Sequence, residues 1–208
     1  MSKKIKKILA KKNKKKIVSL TAYSKNIAQI LDKYCDIILV GDSMANVLYG
    51  MKNTNQISVD SIIQHSISVS KGVKKSLLVV DMPRRACKNL IEAKKNAKLI
   101  LKKTKCNAVK VESNNKNFNI IKGLVESKVP VMGHIGYTPQ FKKRFKVEGK
   151  NKSEALKLIK EARLIEQAGA FAIVLECVIP SVAKEITNIL KIPTIGIGSS
   201  SYCDGQIL

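Results

Sequence analysis

Tryptophan is absent from this chain, and aromatic residues make up only 4% of its 208 residues. Proteins that bind single-stranded nucleic acid stack bases on aromatic rings, so this composition gives little support to that class. Arginine, which suits phosphate and base recognition best, is rare beside lysine. The formal net charge of +24 therefore indicates a lysine-rich surface along the whole chain. Its densest run, residues 3–16, is the place best suited to weak contact with an acidic partner.

Long apolar runs and paired cysteines are also missing. No run approaches the roughly 20 apolar residues that a membrane-spanning helix needs, and no signal-peptide segment follows the basic N-terminus. The five cysteines show no C-x-x-C spacing. These features predict a reduced, cytoplasmic protein. The hydrophobic content of 45% is enough for a substantial core.

Short apolar runs that end in a carboxylate recur along the chain, at Asp42, Asp81, Glu112 and Glu176. Such runs are typical of buried strands in a parallel sheet covered by helices. Seven predicted strands begin at Ile17, Ile37, Leu77, Ala108, Val129, Ala172 and Thr194. The carboxylates that end them are spaced by one or two units of roughly thirty residues, the length of a strand, a crossover helix and two loops. Asp42 and Asp81 are 39 residues apart, Asp81 and Glu112 31, and Glu112 and Glu176 64.

This repeat predicts an α/β fold, a (βα)8 TIM barrel that is truncated or incomplete at its C-terminus. One barrel domain spans residues 1–208, and residues 1–16 form a basic lead-in with a short helix. A barrel brings strand-end carboxylates together at one pole, whereas an open sheet would spread them along an edge. Neither a dinucleotide-binding fingerprint nor a phosphate-binding loop is present. The expected eighth strand and following helices are largely absent, which predicts an open seam.

Asp42, Asp81 and Glu112 follow three successive strands and offer hard oxygen ligands. Oxygen donors without nearby cysteine or paired histidine favour Mg²⁺ over zinc. Each acid could instead cap the helix after its strand. That alternative weakens when three acids occur in successive units.

Lys110 lies two residues before Glu112, so both side chains point to the same face of a regular strand. A lysine there could stabilise an anion, or it could reach water at the end of the strand. Glu176 ends a very apolar strand and is a candidate general base. His134, in a polar turn after strand 129–132, is a candidate for the vicinity of the substrate or for a supporting role. His65 is interpreted as structural.

At these residues the chain resembles the ketopantoate hydroxymethyltransferase (3-methyl-2-oxobutanoate hydroxymethyltransferase) family. The resemblance extends over nearly the whole chain, in the family's order and spacing. Its motifs are Leu20-Thr21-Ala22-Tyr23, Val40-Gly41-Asp42-Ser43, Asp81-Met82-Pro83, Val109-Lys110-Val111-Glu112, Gly133-His134-Ile135-Gly136-Tyr137-Thr138-Pro139-Gln140, Leu175-Glu176-Cys177, Ile195-Gly196-Ile197-Gly198 and Cys203-Asp204-Gly205-Gln206.

The resemblance implies an enzyme of pantothenate biosynthesis that transfers a hydroxymethyl group from 5,10-methylenetetrahydrofolate to 3-methyl-2-oxobutanoate. Family members are homo-oligomers of barrels. The implied Mg²⁺ ligands are Asp42, Asp81 and Glu112; the implied substrate-binding residues are Asp42, Ser43, Asp81 and Lys110; and the implied proton acceptor is Glu176.

The sequence departs from the family pattern at three places. Arg84 and Arg85 follow the Asp-Met-Pro motif, Ser113 and Asn114 follow Glu112, and Ser199-Ser200 follow Gly198. These changes are expected to affect loop shape and folate contacts. The expected open seam leads to the hypothesis that the chain is inactive or marginally active alone, or is a shortened or decayed version of the enzyme. The competing interpretations are another Mg²⁺-dependent 2-oxo acid barrel of the phosphoenolpyruvate mutase and isocitrate lyase type, and a shortened basic protein associated with nucleic acid.

Overall fold

A computed structural model of the chain describes residues 1–114 and 117–208. Within these residues, eight parallel strands form a closed barrel in which each strand pairs with the next in sequence and the last pairs with the first. The strands are β1 Ile17–Thr21, β2 Ile37–Val40, β3 Leu77–Asp81, β4 Ala108–Glu112, β5 Val131–Gly136, β6 Ala172–Glu176, β7 Thr194–Ile197 and β8 Gly205–Ile207. The predicted (βα)8 barrel is confirmed.

Eight α-helices lie among these strands in the described part of the chain; two of them separate β2 from β3, and β7 leads to β8 without a helix. They are α1 Lys3–Ala10, α2 Lys25–Leu31, α3 Met44–Val47, α4 Val59–Ser70, α5 Leu90–Thr104, α6 Phe118–Glu126, α7 Lys152–Gln167 and α8 Pro180–Ile189. Asparagine side chains begin two of the longest, because Asn89 and Asn151 accept hydrogen bonds from the exposed backbone N–H groups of the first turn. None of these helices is long and apolar enough to cross a membrane.

The apolar residues form two cores, one between the strands and the outer helices and one inside the barrel. Helix α1 belongs to the inner core, because Ile5 and Ile8 pack with strand residues such as Ile17 and Leu77. The helix therefore covers the end of the barrel at which the strands begin. The active-site end of such a barrel is the opposite one, where the strands finish.

Several lysines of the basic lead-in hold α1 and the following loop against the barrel. Lys4 donates to the carbonyl oxygen of Ser76 at 2.8 Å, and Lys12 pairs with Asp204 at 2.7 Å. Lys11 pairs with Asp36. Several of the lysines in the basic run at residues 3–16 thus anchor the lead-in to its own barrel.

The expected open seam is wrong. Strand β8 pairs Gly205 with Ile17 of β1 and with Ile195 of β7, and so completes the ring. A side chain at position 205 would meet the carbonyl oxygen of Ile17 at 2.5 Å, so glycine is what permits this close approach. Asp204 supports the junction by accepting a hydrogen bond from the backbone N–H of Thr194 at 2.8 Å.

Strand β5 is longer than expected, and the prediction that His134 lies in a turn is wrong. The strand continues through His134 to Gly136 and pairs on both sides, with Glu112 of β4 and Val174 of β6 opposite His134. The neighbouring glycine resembles a turn signal but has a packing role. A Cβ atom at Gly133 would lie 2.5 Å from the side chain of Ile165.

Candidate active site

One cavity of about 140 Å³ opens at the end of the barrel where the strands finish. Its walls come from residues at or near the C-terminal ends of all eight strands and from the loops that follow. The site residues predicted from the sequence all line it: Asp42, Ser43, Asp81, Lys110, Glu112, His134 and Glu176. Because neighbouring parallel strands end at the same pole, residues far apart in sequence meet here.

The three acids and Lys110 form a buried charged cluster. Asp42, Asp81, Glu112 and Lys110 are each at most 7% exposed. Lys110 Nζ lies 2.8 Å from Asp81 Oδ1, and the backbone N–H of Asp42 donates to Asp81 Oδ2 at 2.9 Å. The lysine therefore points into the site and does not reach water. One ammonium group faces three carboxyl groups, which leaves the cluster with an excess of negative charge when all are ionised.

The pKa values reflect this imbalance. Burial and the neighbouring charge of Asp81 raise the pKa of Asp42 to about 7. Burial and the charge of Asp42 raise the pKa of Glu112 well above its usual value. Burial alone would lower the pKa of Lys110, but the charges of Asp81, Asp42 and Glu112 outweigh it and raise the pKa, so the lysine stays protonated.

His134 connects this cluster to Glu176. Its Nε2 atom lies 3.2 Å from Glu176 Oε2, and its Nδ1 atom lies 3.5 Å from Lys110 Nζ. Burial and the charge of Lys110 lower the pKa of His134, so the ring is neutral near pH 7. The ring therefore lies between the Lys110 ammonium group and the Glu176 carboxylate. The Glu176 side chain is 21% exposed, so it can meet a ligand that enters from solvent.

Ser43 is oriented by Tyr23, for which the sequence predicts no role. Tyr23 Oη lies 2.9 Å from Ser43 Oγ. The carbonyl oxygen of Tyr23 accepts a hydrogen bond from His65 Nδ1 at 2.8 Å, which gives His65 a structural contact. Tyr23 lies within a motif that suggests a position near the site, but only the folded chain brings it to Ser43.

Gln140 is the second residue without a predicted role. It is 3% exposed and lies in the loop between β5 and α7. Its side-chain Nε2 donates to Asp42 Oδ2 at 2.8 Å, and its backbone N–H donates to Glu112 Oε2 at 3.0 Å. No hydrophobic periodicity marks a loop residue of this kind.

The departures from the family pattern occupy loops around the cavity. Arg84 and Arg85 are exposed, and the Arg84 guanidinium lies 5.1 Å from the centre of the Phe141 ring. Ser113 is buried, and its backbone N–H donates to the carbonyl oxygen of His134 at 2.8 Å. Ser199 Oγ donates to the carbonyl oxygen of Leu175 at 2.7 Å, beside Glu176. None of these residues lines the cavity.

The acids suit a divalent cation in donor type and in charge. Among the described residues, no three Asp, Glu, His or Cys side chains are already grouped as a metal centre. Asp42, Asp81 and Glu112 nevertheless supply hard oxygen donors. The raised pKa of Asp42 shows that the cluster carries repulsion between like charges, which a cation would relieve.

This repulsion predicts that the protein without divalent cations loses stability as pH rises from about 4 to about 7. The folded-state pKa of Asp42 is raised from 3.8 to about 7, so the folded state binds more protons than the unfolded state in that window. Urea unfolding in EDTA at pH 5 and pH 8 measures the effect. Asp42→Asn is expected to be the more stable protein at pH 8 by a few kcal/mol, and this difference should be markedly smaller at pH 5. An equal gap at both pH values would contradict the prediction.

A parallel (βα)8 barrel with buried acids, a buried lysine and a part-exposed carboxylate at its active pole defines an enzyme that acts on small molecules. The family model described as ketopantoate hydroxymethyltransferase matches residues 2–208. The chain belongs to the ketopantoate hydroxymethyltransferase family.

Two relatives share the name 3-methyl-2-oxobutanoate hydroxymethyltransferase. The protein from Pelagibacter ubique is 54% identical over 208 residues, which cover 100% of this chain and 81% of the relative. The protein from Anaplasma marginale strain St. Maries is 46% identical over 204 residues, covering 97% of this chain and 74% of the relative.

Two solved structures with a similar fold are far more distant in sequence than these relatives. A 2,3-dimethylmalate lyase of the PEP mutase/isocitrate lyase superfamily aligns with a TM-score of 0.74 at 12% identity, covering 100% of this chain and 79% of that chain. Phosphonopyruvate hydrolase in complex with oxalate and Mg²⁺ aligns with a TM-score of 0.72 at 11% identity, covering 94% and 72%. At this identity the likeness concerns the fold alone.

Proposed function

We propose that this chain transfers a hydroxymethyl group from 5,10-methylenetetrahydrofolate to 3-methyl-2-oxobutanoate and forms 2-dehydropantoate (ketopantoate), a step of pantothenate biosynthesis. The observation that carries the proposal is the meeting of seven residues of the family motifs in one cavity. In balance, the 2-oxo acid, the folate-borne methylene group and water give ketopantoate and tetrahydrofolate. The C3–H bond of the acid breaks, and a C–C bond forms between that carbon and the methylene carbon. The two C–N bonds of the methylene group break, water supplies the hydroxyl group, and the folate nitrogens take up the protons.

Asp42, Asp81 and Glu112 would hold Mg²⁺. When bound, Mg²⁺ supplies a Lewis acid that polarises the 2-oxo group and so acidifies the adjacent C–H bond. Lys110, fixed by Asp81, places a positive charge where the substrate carboxylate and the developing enolate carry negative charge. Ser43, held by Tyr23, is placed to hydrogen-bond the same substrate.

Glu176 accepts the proton from C3 of the 2-oxo acid. His134 Nε2, which lies 3.2 Å from Glu176 Oε2, is placed to keep that carboxylate oriented at the cavity wall. Apolar side chains that line the same cavity, including Leu39, Val174 and Ile197, suit the two methyl groups of the substrate. The small cavity holds the acidic C–H bond close to the base, and this fixed orientation lowers the barrier to proton transfer.

Turnover by the purified chain tests this proposal. We expect ketopantoate from 3-methyl-2-oxobutanoate, Mg²⁺ and 5,10-methylenetetrahydrofolate, and none when EDTA replaces Mg²⁺. The matched substrate control is 3,3-dimethyl-2-oxobutanoate, which has no hydrogen at C3 and should give no product. Failure to form ketopantoate under these conditions would count against the proposal and for the hypothesis of a chain inactive alone.

Two alternatives have less support. The phosphoenolpyruvate mutase and isocitrate lyase type shares the fold. The two neighbours described above are at most 12% identical to this chain, so their likeness supports a common fold and gives no support to a common reaction. The basic protein associated with nucleic acid offers no reason for three acids buried at one pole, where they would repel phosphate.

A further inference from the structure

We propose that Gln140 is a positioning residue of this site, which orients Asp42 and Glu112 and ties the loop between β5 and α7 to them. The inference rests on the proposed function in one respect, that these carboxylates hold a divalent cation. It goes further by assigning their orientation to a loop residue outside the predicted ligand set.

On the side that faces the cavity, Gln140 donates hydrogen bonds to both Asp42 and Glu112. Nε2 lies 2.8 Å from Asp42 Oδ2 and 3.1 Å from the carbonyl oxygen of Met82, while the backbone N–H lies 3.0 Å from Glu112 Oε2. The carbonyl oxygen of Met82 can only accept, so the NH2 group of Gln140 and not its amide oxygen faces Met82 and Asp42. The orientation of the amide is therefore fixed by its surroundings.

The outward contacts of Gln140 hold the residue in place from the other side. Its carbonyl oxygen accepts hydrogen bonds from Arg84 Nη1 at 2.6 Å and from Asn55 Nδ2 at 3.2 Å. Arg84 also lies over the ring of the next residue, Phe141, at 5.1 Å. The loops after β2, β3 and β5 thus meet at one buried residue.

The chemistry of an amide suits this place. Three buried carboxyl groups beside one ammonium group repel each other, and each needs a donor to fix its orientation. A second lysine would cancel charge that a cation requires. The neutral amide of Gln140 instead fixes Asp42 without adding positive charge, and it engages a single oxygen of that acid. Partners that orient ligand side chains typically contribute 10–100-fold to metal affinity.

The test compares Mg²⁺ binding by Gln140→Met and the wild-type chain, measured by isothermal titration calorimetry with and without 3-methyl-2-oxobutanoate. Methionine keeps the length and the backbone N–H to Glu112 but removes the donor to Asp42. We expect roughly 10–100-fold weaker Mg²⁺ binding. Gln64→Met, an exposed substitution on α4, is the matched control and should bind as the wild type does.

The outer contacts are tested separately with Arg84→Ala, which leaves the carboxylates and their donors in place. We expect a smaller loss of Mg²⁺ affinity, since Asn55 still holds the Gln140 carbonyl. Wild-type Mg²⁺ affinity in Gln140→Met, with or without a lower unfolding temperature, would overturn the proposal, as would a wild-type chain that does not bind Mg²⁺. A wild type that binds Mg²⁺ but forms no ketopantoate would defeat the proposed function and leave the role of Gln140 standing.

Discussion

Asp42→Ala is expected to abolish the thermal stabilisation that Mg²⁺ together with 3-methyl-2-oxobutanoate gives to the wild-type chain. A ligand present at 100 times its dissociation constant stabilises the folded state by about 2.7 kcal/mol. For a domain of this size that corresponds to roughly 5–10 °C in the unfolding temperature. Asp42 lies beside Asp81 and accepts from Gln140, so its loss removes one proposed ligand and one proposed substrate contact together.

The design separates loss of binding from loss of folding. The backbone N–H of Asp42, which donates to Asp81, is retained in the alanine variant. Removal of a buried like charge should leave the variant without ligand at least as stable as the wild type at pH 8. Asp60→Ala, an exposed substitution in the first turn of α4, is the matched control and should keep the full ligand-induced shift. An undiminished shift in Asp42→Ala would remove Asp42 from the site.

The positions of the acids could be predicted because each one is a local feature of the sequence. Asp42, Asp81 and Glu112 follow apolar runs, and the ends of parallel strands in a barrel meet at one pole. The same reasoning placed Lys110 on the face of Glu112, since side chains two residues apart in a strand point the same way. Strand periodicity and topology together were enough to bring these residues to one cavity.

Other parts of the site depend on tertiary contacts that no local pattern encodes. Gln140 lies in a loop, and its place depends on Arg84 and Asn55 from two other loops. Strand β8 has only three residues, too few for an apolar alternation to mark it, and it exists because both neighbouring strands pair with it. His134 was placed in a turn because glycines precede and follow it closely, whereas Gly133 makes room for Ile165.

Glu176→Gln is expected to lower turnover by about 10²–10⁴-fold while leaving Mg²⁺ and 2-oxo acid binding close to that of the wild type. Loss of a positioned general base typically costs this factor. Glutamine keeps the size of the side chain and can still face His134 Nε2, but its amide cannot accept the proton that leaves C3 of the substrate. The direct measurement is exchange of the C3 hydrogen of 3-methyl-2-oxobutanoate in D2O, followed by NMR with Mg²⁺ and without the folate.

Hydrogen exchange assigns the base because it isolates proton removal from the transfer of the one-carbon unit. Wild-type exchange with no exchange in Glu176→Gln, at unchanged ligand-induced stabilisation, identifies Glu176 as the proton acceptor. The competing base is His134, which lies 3.2 Å from Glu176 and is buried. His134→Gln serves as the comparison: if His134 only orients Glu176, exchange should slow less than in Glu176→Gln. If Glu176→Gln exchanged the C3 hydrogen as fast as the wild type and His134→Gln lost most of that exchange, His134 would be the base and Glu176 the orienting residue. The proposed roles of the cavity, the acids and Lys110 would stand.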